Sequence, residues 1–196
     1  MFGLFKKKRI TLEDQINTLN ELGISLETNI SIDYLFEHFD REEYEQDPYY
    51  TLLIVMGGEF GNEKDELVIV SNDVWHFDME CVEDEDIYAE LANKMIILAK
   101  GKLPLQNIKS MVDHDHEVAW FSFELYNKEY NWELQYNYDW FDIGFVEKFS
   151  DLCSELQLEE RYIFLNLEQD CIISFCTLDQ YNQLNKLMKY KFEFMA

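Results

Sequence analysis

The 196-residue chain has few of the residues that mark fibrous, low-complexity or disulfide-stapled proteins. It contains two prolines, seven glycines and four cysteines, which excludes collagen-like and linker-like organisation. No apolar run approaches the roughly 20 residues that span a bilayer. By contrast, 47% of the residues are hydrophobic and 16% are aromatic. A chain of this length and apolar content can bury a core without covalent staples, so we expect a folded globular protein.

Basic residues are also scarce, with 16 Lys and Arg against 40 Asp and Glu and a formal net charge of −24. Four of the 16 lie together at residues 6–9, so the remainder of the chain is more acidic still. Such a surface repels nucleic-acid phosphates and anionic lipids. The apolar residues at the start precede the basic run, the reverse of a secretory signal. We therefore expect a cytoplasmic protein without a membrane span that does not bind nucleic acid.

The four cysteines lack the close paired spacing that favours metal chelation. They are Cys81, Cys153, Cys171 and Cys176. Cys171 and Cys176 are five residues apart on a predicted strand, so their side chains point to opposite faces. The sequence therefore predicts four reduced core cysteines, because a disulfide framework is unusual in a cytosolic chain of this length.

Hydrophobic periodicity changes from about 3.6 to 2 near residue 66, which indicates an α+β fold. We predict a single domain over residues 1–196, with 1–10 as a disordered terminus, 11–58 as a helical part and three hairpin–helix units within 66–190. The predicted order is α-α-α-ββ-α-βββ-α-ββ-α. Thr11 and Thr177 are predicted N-caps. Residues 48–56 fit a strand or a helix, and the flanking Asp-Pro and Gly favour the helix.

Two hairpins have specific predicted pairings. Residues 67–70 form one strand, Asn72-Asp73 the turn, and residues 75–81 its partner. Aromatic and polar residues alternate from Tyr130 to Trp140, which predicts one long half-buried strand. A turn at residues 127–128 would place Phe123 opposite Trp132 on the buried face, and Phe121 opposite Leu134.

The densest group of possible metal ligands is the segment Asp113-His114-Asp115-His116-Glu117. On a strand, His114 and His116 would point the same way, with His76, Asp78 and Glu80 as companions. Two imidazoles and a carboxylate are a sufficient first shell for zinc or iron, so a metal-dependent enzyme is one hypothesis. The segment lies between two strand-like runs, however, which favours a solvated hairpin turn. We assign no cofactor.

Acidic residues are concentrated in two places, which we name the first and second acidic clusters. The first consists of Asp40, Glu42, Glu43, Glu45 and Asp47. The second consists of Asp78, Glu80, Glu83, Asp84, Glu85, Asp86 and Glu90. Solvated loops and a helix start would explain both clusters. A negative docking surface is the functional alternative, because opposite charge speeds association and excludes wrong partners.

Under the docking hypothesis, the predicted binding residues are Glu42, Glu43, Glu45, Glu83, Asp84, Glu85 and Asp86. Nearby aromatic residues would either anchor a partner or pack inward; they are Tyr44, Tyr49, Tyr50, Trp75 and Tyr88. No arrangement of residues identifies a catalyst. The sequence therefore favours a non-enzymatic interaction protein with a basic protein partner, for example a nuclease.

In size and charge, the chain resembles the cytoplasmic immunity proteins that neutralise bacterial toxins. The resemblance implies a basic, toxin-like partner. It includes no shared motif and assigns a role to no residue.

Overall fold

The computed structural model describes residues 9–61 and 66–195, so most of the predicted disordered terminus lies outside the described residues. The described helices are α1 (Leu12–Glu21), α2 (Ile32–Leu35), α3 (Arg41–Gln46), α4 (Tyr50–Gly57), α5 (Ile87–Leu98), α6 (Gly144–Glu155) and α7 (Leu178–Leu187). The described strands are β1 (Glu59–Gly61), β2 (Leu67–Ile69), β3 (Val74–Asp78), β4 (Gln106–Asp113), β5 (Val118–Leu125), β6 (Lys128–Leu134), β7 (Glu160–Leu167), β8 (Asp170–Thr177) and β9 (Glu193–Phe194). The α+β class is confirmed.

Local signals place most of the helices. The side chains of Thr11 and Thr177 accept hydrogen bonds from backbone amides at the starts of α1 and α7, as the sequence predicts. Residues 50–57 are helical. Gly57 permits α4 to lie against β3, because a Cβ there would stand 2.6 Å from the backbone nitrogen of His76. Helix α3 was not predicted; its start is stabilised by Glu43 Oε2, which accepts a hydrogen bond from the Asp40 amide at 2.9 Å.

The main sheet has the antiparallel order β3-β8-β7-β9 and separates two hydrophobic cores. One face, which includes Ile172, packs with buried residues of α1–α4 and α7. The other face, which includes Ile173, packs with α5, α6 and the three-stranded sheet β4-β5-β6. Alternation along each strand thus supplies apolar side chains to both cores. Cys171 and Cys176 fall in different cores, which confirms their predicted opposite orientation.

The predicted hairpin between residues 67–70 and 75–81 is wrong. Strand β2 pairs with β1, whereas β3 pairs with β8. The intervening Asp73 is tied to other parts of the fold, since its carboxylate accepts from the Ser25 amide at 2.8 Å and pairs with Lys100 at 2.6 Å. Its carbonyl accepts from Ser174 Oγ at 2.7 Å. These long-range contacts direct β3 onto β8.

The strand predicted from Tyr130 to Trp140 is shorter, because β6 ends at Leu134. The next amide, of Gln135, donates to Asp142 Oδ2 at 2.9 Å instead of continuing the ladder. Tyr138 then adopts a left-handed φ of 60°, which interrupts extended backbone. The chain therefore turns away from the sheet.

The register of the β5–β6 hairpin differs by two residues from the prediction. Tyr126 and Asn127, with φ of 50° and 63°, form the two-residue turn. Phe121 consequently lies opposite Trp132, and Phe123 lies opposite Tyr130. A shift of two preserves the face of every side chain, so the aromatic residues still point towards the core while their partners change.

All four cysteines are free; three are buried, and Cys81 is half-buried. Burial raises the pKa of the Cys81 thiol to about 11 and that of Cys153 to about 12. These cysteines are therefore poor nucleophiles at neutral pH. Among the described helices, none is long and apolar enough to cross a bilayer.

Candidate interaction surface

The three histidines of the metal hypothesis are not gathered into one site. His114 and His116 lie in the turn between β4 and β5, as the alternative interpretation predicts. Their Nδ1 atoms contact different partners, Tyr136 Oη at 3.1 Å and Asp113 Oδ2 at 2.8 Å. His76 lies on β3, with its Nε2 atom 3.9 Å from Asp170 Oδ2. Within the described portion of the chain, no group of three His, Cys, Asp or Glu residues is placed to hold a metal ion.

The first acidic cluster lies on and around α3 and is partly neutralised by two arginines. Arg41 Nη1 lies 3.5 Å from Glu45 Oε1 of the cluster, and the same guanidinium forms a bidentate pair with Glu13 of α1, with both N–O distances 2.8 Å. Arg9 Nε lies 2.9 Å from Glu45 Oε2, and Arg9 Nη2 lies 3.8 Å from Glu42 Oε1. Hydrogen bonding to Arg41 lowers the pKa of the Glu13 carboxyl to about 2. These charges join α1 to α3, so much of the cluster has a structural role.

The predicted binding residues of this cluster differ in how accessible they are. Glu42 is exposed, with 81% side-chain exposure, whereas Glu45 retains only 9%. Glu43 is exposed but accepts the hydrogen bond that starts α3. Of these three, Glu42 is the most accessible to a partner, although its carboxylate lies 3.8 Å from Arg9 Nη2.

The second acidic cluster is different, because all seven of its carboxylate residues are exposed. Within the described residues, none of the seven forms an ion pair with a lysine or arginine. Glu83–Asp86 immediately precede α5, where the positive end of the helix dipole stabilises negative charge. This explains how the fold tolerates so much acid in one segment.

The backbone of the second acidic cluster is fixed to its neighbours. The Val82 amide donates to the Asp139 carbonyl at 2.8 Å, and the Phe141 amide donates to the Met79 carbonyl at 2.7 Å. Glu80 and Trp140 form an antiparallel bridge. The segment 137–141 therefore lies directly beside the acidic residues.

That neighbouring segment carries two exposed aromatic side chains, Tyr138 at 68% and Trp140 at 39% exposure. The Tyr138 ring lies 5.4 Å from the ring of Tyr136. The sequence interpretation missed both as surface residues because it placed them on the buried face of a long strand. Their exposure follows from a tertiary contact, because β6 ends where the Gln135 amide donates a hydrogen bond to Asp142.

The aromatic residues considered as anchors from the sequence pack inward. Tyr44, Tyr49 and Tyr88 are at most 3% exposed, and Trp75 is 7% exposed. Tyr50 is half-buried, and its ring centre lies 4.6 Å from that of Tyr190 in a tilted arrangement. None of the five therefore offers a free aromatic face beside the second acidic cluster.

Comparison of the chain with protein-family models, with curated proteins and with solved structures finds no significant match.

Proposed function

We propose that this protein is a non-enzymatic interaction protein that binds a basic protein partner through the second acidic cluster, with Tyr138 and Trp140 as anchors. The contrast between the two clusters supports this most directly. Arg9 and Arg41 pair with Glu42 and Glu45 of the first cluster, whereas the described residues provide no lysine or arginine pair for the second. A partner with complementary charge would supply the missing cations.

The aromatic side chains add a physical basis for affinity. Charge complementarity at a surface mainly raises the association rate and excludes wrong partners, while aromatic residues contribute a large share of binding energy. Backbone hydrogen bonds at Asp139 and Phe141 hold the segment that carries Tyr138 and Trp140. A prearranged anchor loses less conformational entropy when it binds.

A basic protein that acts on nucleic acid is the kind of partner this surface suits, because the enzyme's own phosphate-binding side chains would pair with the carboxylates. The resemblance in size and charge to toxin-neutralising immunity proteins points the same way. Under this proposal, the protein covers the cationic surface of its partner and performs no chemistry itself.

Affinity capture from the native cell, followed by mass spectrometry, tests the proposal when three forms of the protein are compared. They are the wild type, the variant D84N/E85Q/D86N, and the control variant E147Q/D151N/E159Q, whose exposed acids lie elsewhere on the fold. We expect the wild type and the control to retain the same basic protein, and the first variant to retain at least tenfold less. Equal retention by all three would contradict the proposal.

Salt dependence provides a second measurement on the captured complex. At about 0.5 M salt the screening length falls to about 4 Å, so retention by the wild type should fall at least tenfold. Retention that is unchanged at this salt concentration would show that charge is not the basis of binding.

The anchor is tested with Tyr138→Asn, and Tyr126→Asn is its matched control. Both tyrosines are about 70% exposed and both have a left-handed φ, a conformation that asparagine accepts. We expect capture to weaken at least fivefold with Tyr138→Asn and to persist with Tyr126→Asn. If capture persists with Tyr138→Asn and weakens with Tyr126→Asn, Tyr138 is not part of the interface.

A further inference from the structure

The sheet β4-β5-β6 has two edges, and the described part of the chain covers one of them. At the β4 edge, the Val112 amide donates to the Glu85 carbonyl at 2.7 Å, and Ser110 Oγ accepts from the Ala89 amide at 3.0 Å. At the β6 edge, within the described residues, no backbone group of Glu129, Asn131 or Glu133 is hydrogen-bonded to another element. An uncovered strand edge is a template for an additional strand.

The hairpin register identifies which backbone groups face outward. Tyr126 and Asn127 form a two-residue turn, so the flanking pair Leu125 and Lys128 exchanges both backbone hydrogen bonds. Bonded and non-bonded pairs then alternate along the ladder. It follows that the N–H and C=O groups of Glu129, Asn131 and Glu133 point away from β5. Three consecutive outward positions, spaced as an added strand requires, are available.

The side chains beside these groups are mostly acidic. Glu124 lies opposite Glu129, and Trp120 lies opposite Glu133, on the outer face of the sheet. Lys109, opposite Ser122, is the one basic residue of that face in the described strands. An open depression of about 900 Å³ runs over the same face and is lined in part by Trp120, Asn131 and Glu133. An incoming strand therefore meets net negative charge.

The inner side of the edge carries two aromatic rings and one ion pair, since the Lys128 ammonium lies 4.3 Å from the centre of the Tyr130 ring and pairs with Glu155 at 2.7 Å. Tyr130 and Trp132 point inward and are only half-buried. Because side chains alternate along a strand, an added strand would place every second residue near Glu129 and Glu133. Its remaining residues would lie beside Tyr130 and Trp132. The edge thus favours a strand in which basic and apolar residues alternate.

A second copy of this chain is a poor occupant. Antiparallel pairing of two β6 strands centred on Asn131 would set Glu129 of one copy opposite Glu133 of the other, twice. Like charges directly opposite each other destabilise a strand pair. The glutamates therefore oppose self-association of this edge and favour a cationic strand.

We infer that the β6 edge is a docking site for an extended segment of a partner protein in which Lys or Arg alternates with apolar residues. The segment adds a fourth strand through the outward backbone groups of Glu129, Asn131 and Glu133. This inference rests on the proposed function for the basic character of the partner. It goes further by assigning a mode of binding, strand addition, and a surface separate from the second acidic cluster.

A synthetic peptide of alternating lysine and valine is the probe, and nuclear magnetic resonance of the labelled protein is the measurement. We expect the peptide to shift the amide signals of β6 and to slow hydrogen exchange at Glu129, Asn131 and Glu133 at least fivefold. A peptide of the same composition with its lysines grouped at one end is the matched control, since it keeps the charge and loses the alternation. Equal effects from both peptides on β6, or no effect on β6, would overturn the inference.

Two variants separate the backbone contribution from the charge contribution. Asn131→Pro removes one outward N–H without touching the β5 ladder, and proline is tolerated in edge strands. E129Q/E133Q removes the charges and keeps the backbone. We expect each to weaken peptide binding at least fivefold, while circular dichroism confirms that both fold. Unchanged binding of the peptide to both folded variants would contradict the inference.

The results distinguish this inference from the proposed function. Peptide effects confined to residues 78–90 would overturn the β6 site and leave the acidic docking surface supported. If the peptide binds at β6 but capture from cells does not depend on salt, the β6 site is supported and the acidic docking surface is contradicted.

Discussion

Asp78 and Asp170 lie directly opposite each other at the end of the β3–β8 ladder. Like charges in this position destabilise a strand pair by roughly 0.2–1 kcal/mol. The described neighbours offset the repulsion only in part, since Gln169 Nε2 donates to Asp78 Oδ2 at 3.2 Å. Asp78 of the second acidic cluster therefore lies opposite a like charge, and a cationic partner would reduce that repulsion.

Replacing Asp170 with asparagine should stabilise the free protein. We expect the free energy of unfolding at pH 7.5 and low salt to rise by about 0.5 kcal/mol, because one of the two opposed charges is removed. Urea unfolding measures this, and the gain should shrink in 0.5 M salt. Asp151→Asn, at an exposed position on α6, is the control and should change stability little. A gain from Asp170→Asn that is independent of salt would point to a cause other than charge repulsion.

The hairpin turn provides a second prediction. Tyr126 adopts φ 50° in the turn between β5 and β6 and is 71% exposed. A left-handed conformation costs an ordinary residue roughly 1–2 kcal/mol, and asparagine less. Tyr126→Asn should therefore raise the free energy of unfolding by about 1 kcal/mol, seen as a higher urea midpoint with an unchanged slope. A lower midpoint would mean that the tyrosine ring makes a stabilising contact greater than the strain.

A third prediction concerns Gln15, a fully buried polar residue that joins three elements. Its Nε2 atom donates to the Tyr44 carbonyl at 2.9 Å, and its Oε1 atom accepts from the Tyr49 amide at 2.8 Å. Gln15→Leu leaves both backbone groups buried and unpaired, each at a cost of roughly 1–3 kcal/mol. We expect a loss of about 3 kcal/mol in unfolding free energy.

Thermal and urea unfolding of Gln15→Leu are compared with Gln46→Leu as the control. Gln46 is an exposed residue of α3, so its replacement should change stability by less than about 0.5 kcal/mol. Equal effects of the two substitutions would contradict the role assigned to Gln15.

The fourth prediction is a loss of stability in mild acid that depends on His38 and His76. Burial lowers the pKa of both imidazoles from the usual 6.5, although Asp170 and Asp78 oppose this at His76, as does Glu37 at His38. The Nε2 atoms of both are buried without a hydrogen-bond partner among the described residues. The unfolded chain therefore binds protons before the folded protein does. Stability should fall as the pH drops below about 6.5.

Urea unfolding at pH 7.5 and 5.5 measures this effect, and H38Q/H76Q should show a smaller difference between the two pH values. The carboxylates act in a separate range, because the pKa of Glu13 is lowered from 4.5 to about 2. The contribution of the Glu13 carboxylate to stability is therefore lost only as the pH falls from 4.5 towards about 2. If H38Q/H76Q loses as much unfolding free energy between pH 7.5 and 5.5 as the wild type does, His38 and His76 are not the cause of the acid sensitivity.

Features set by neighbouring residues were predictable from the sequence. The caps at Thr11 and Thr177 depend on side chains that bond to amides three residues away. The turn containing His114 and His116 joins two strands that are adjacent in the chain. These contacts join residues that are close in the chain, so the entropy cost of closing the loop between them is small. The local sequence pattern therefore determines them.

Features set by distant residues were not predictable. Strand β3 pairs with β8, about 100 residues later, and not with its predicted neighbour. The exposure of Tyr138 and Trp140 follows from the bond between Gln135 and Asp142, which the alternation of apolar and polar residues does not reveal. A period-2 pattern assigns side chains to faces but does not state where a strand ends.

By itself, the sequence determined the acidic character of the protein, the caps at Thr11 and Thr177, and the inward face of the aromatic residues in the β5–β6 hairpin, because these depend on composition and short-range periodicity. Only the tertiary structure decided which acids are neutralised, since Arg41 reaches Glu13 across 28 residues. It also decided that the β6 edge has no further strand paired with it among the described residues. Both outcomes arise from packing between elements far apart in the chain, where many alternative pairings have the same local pattern.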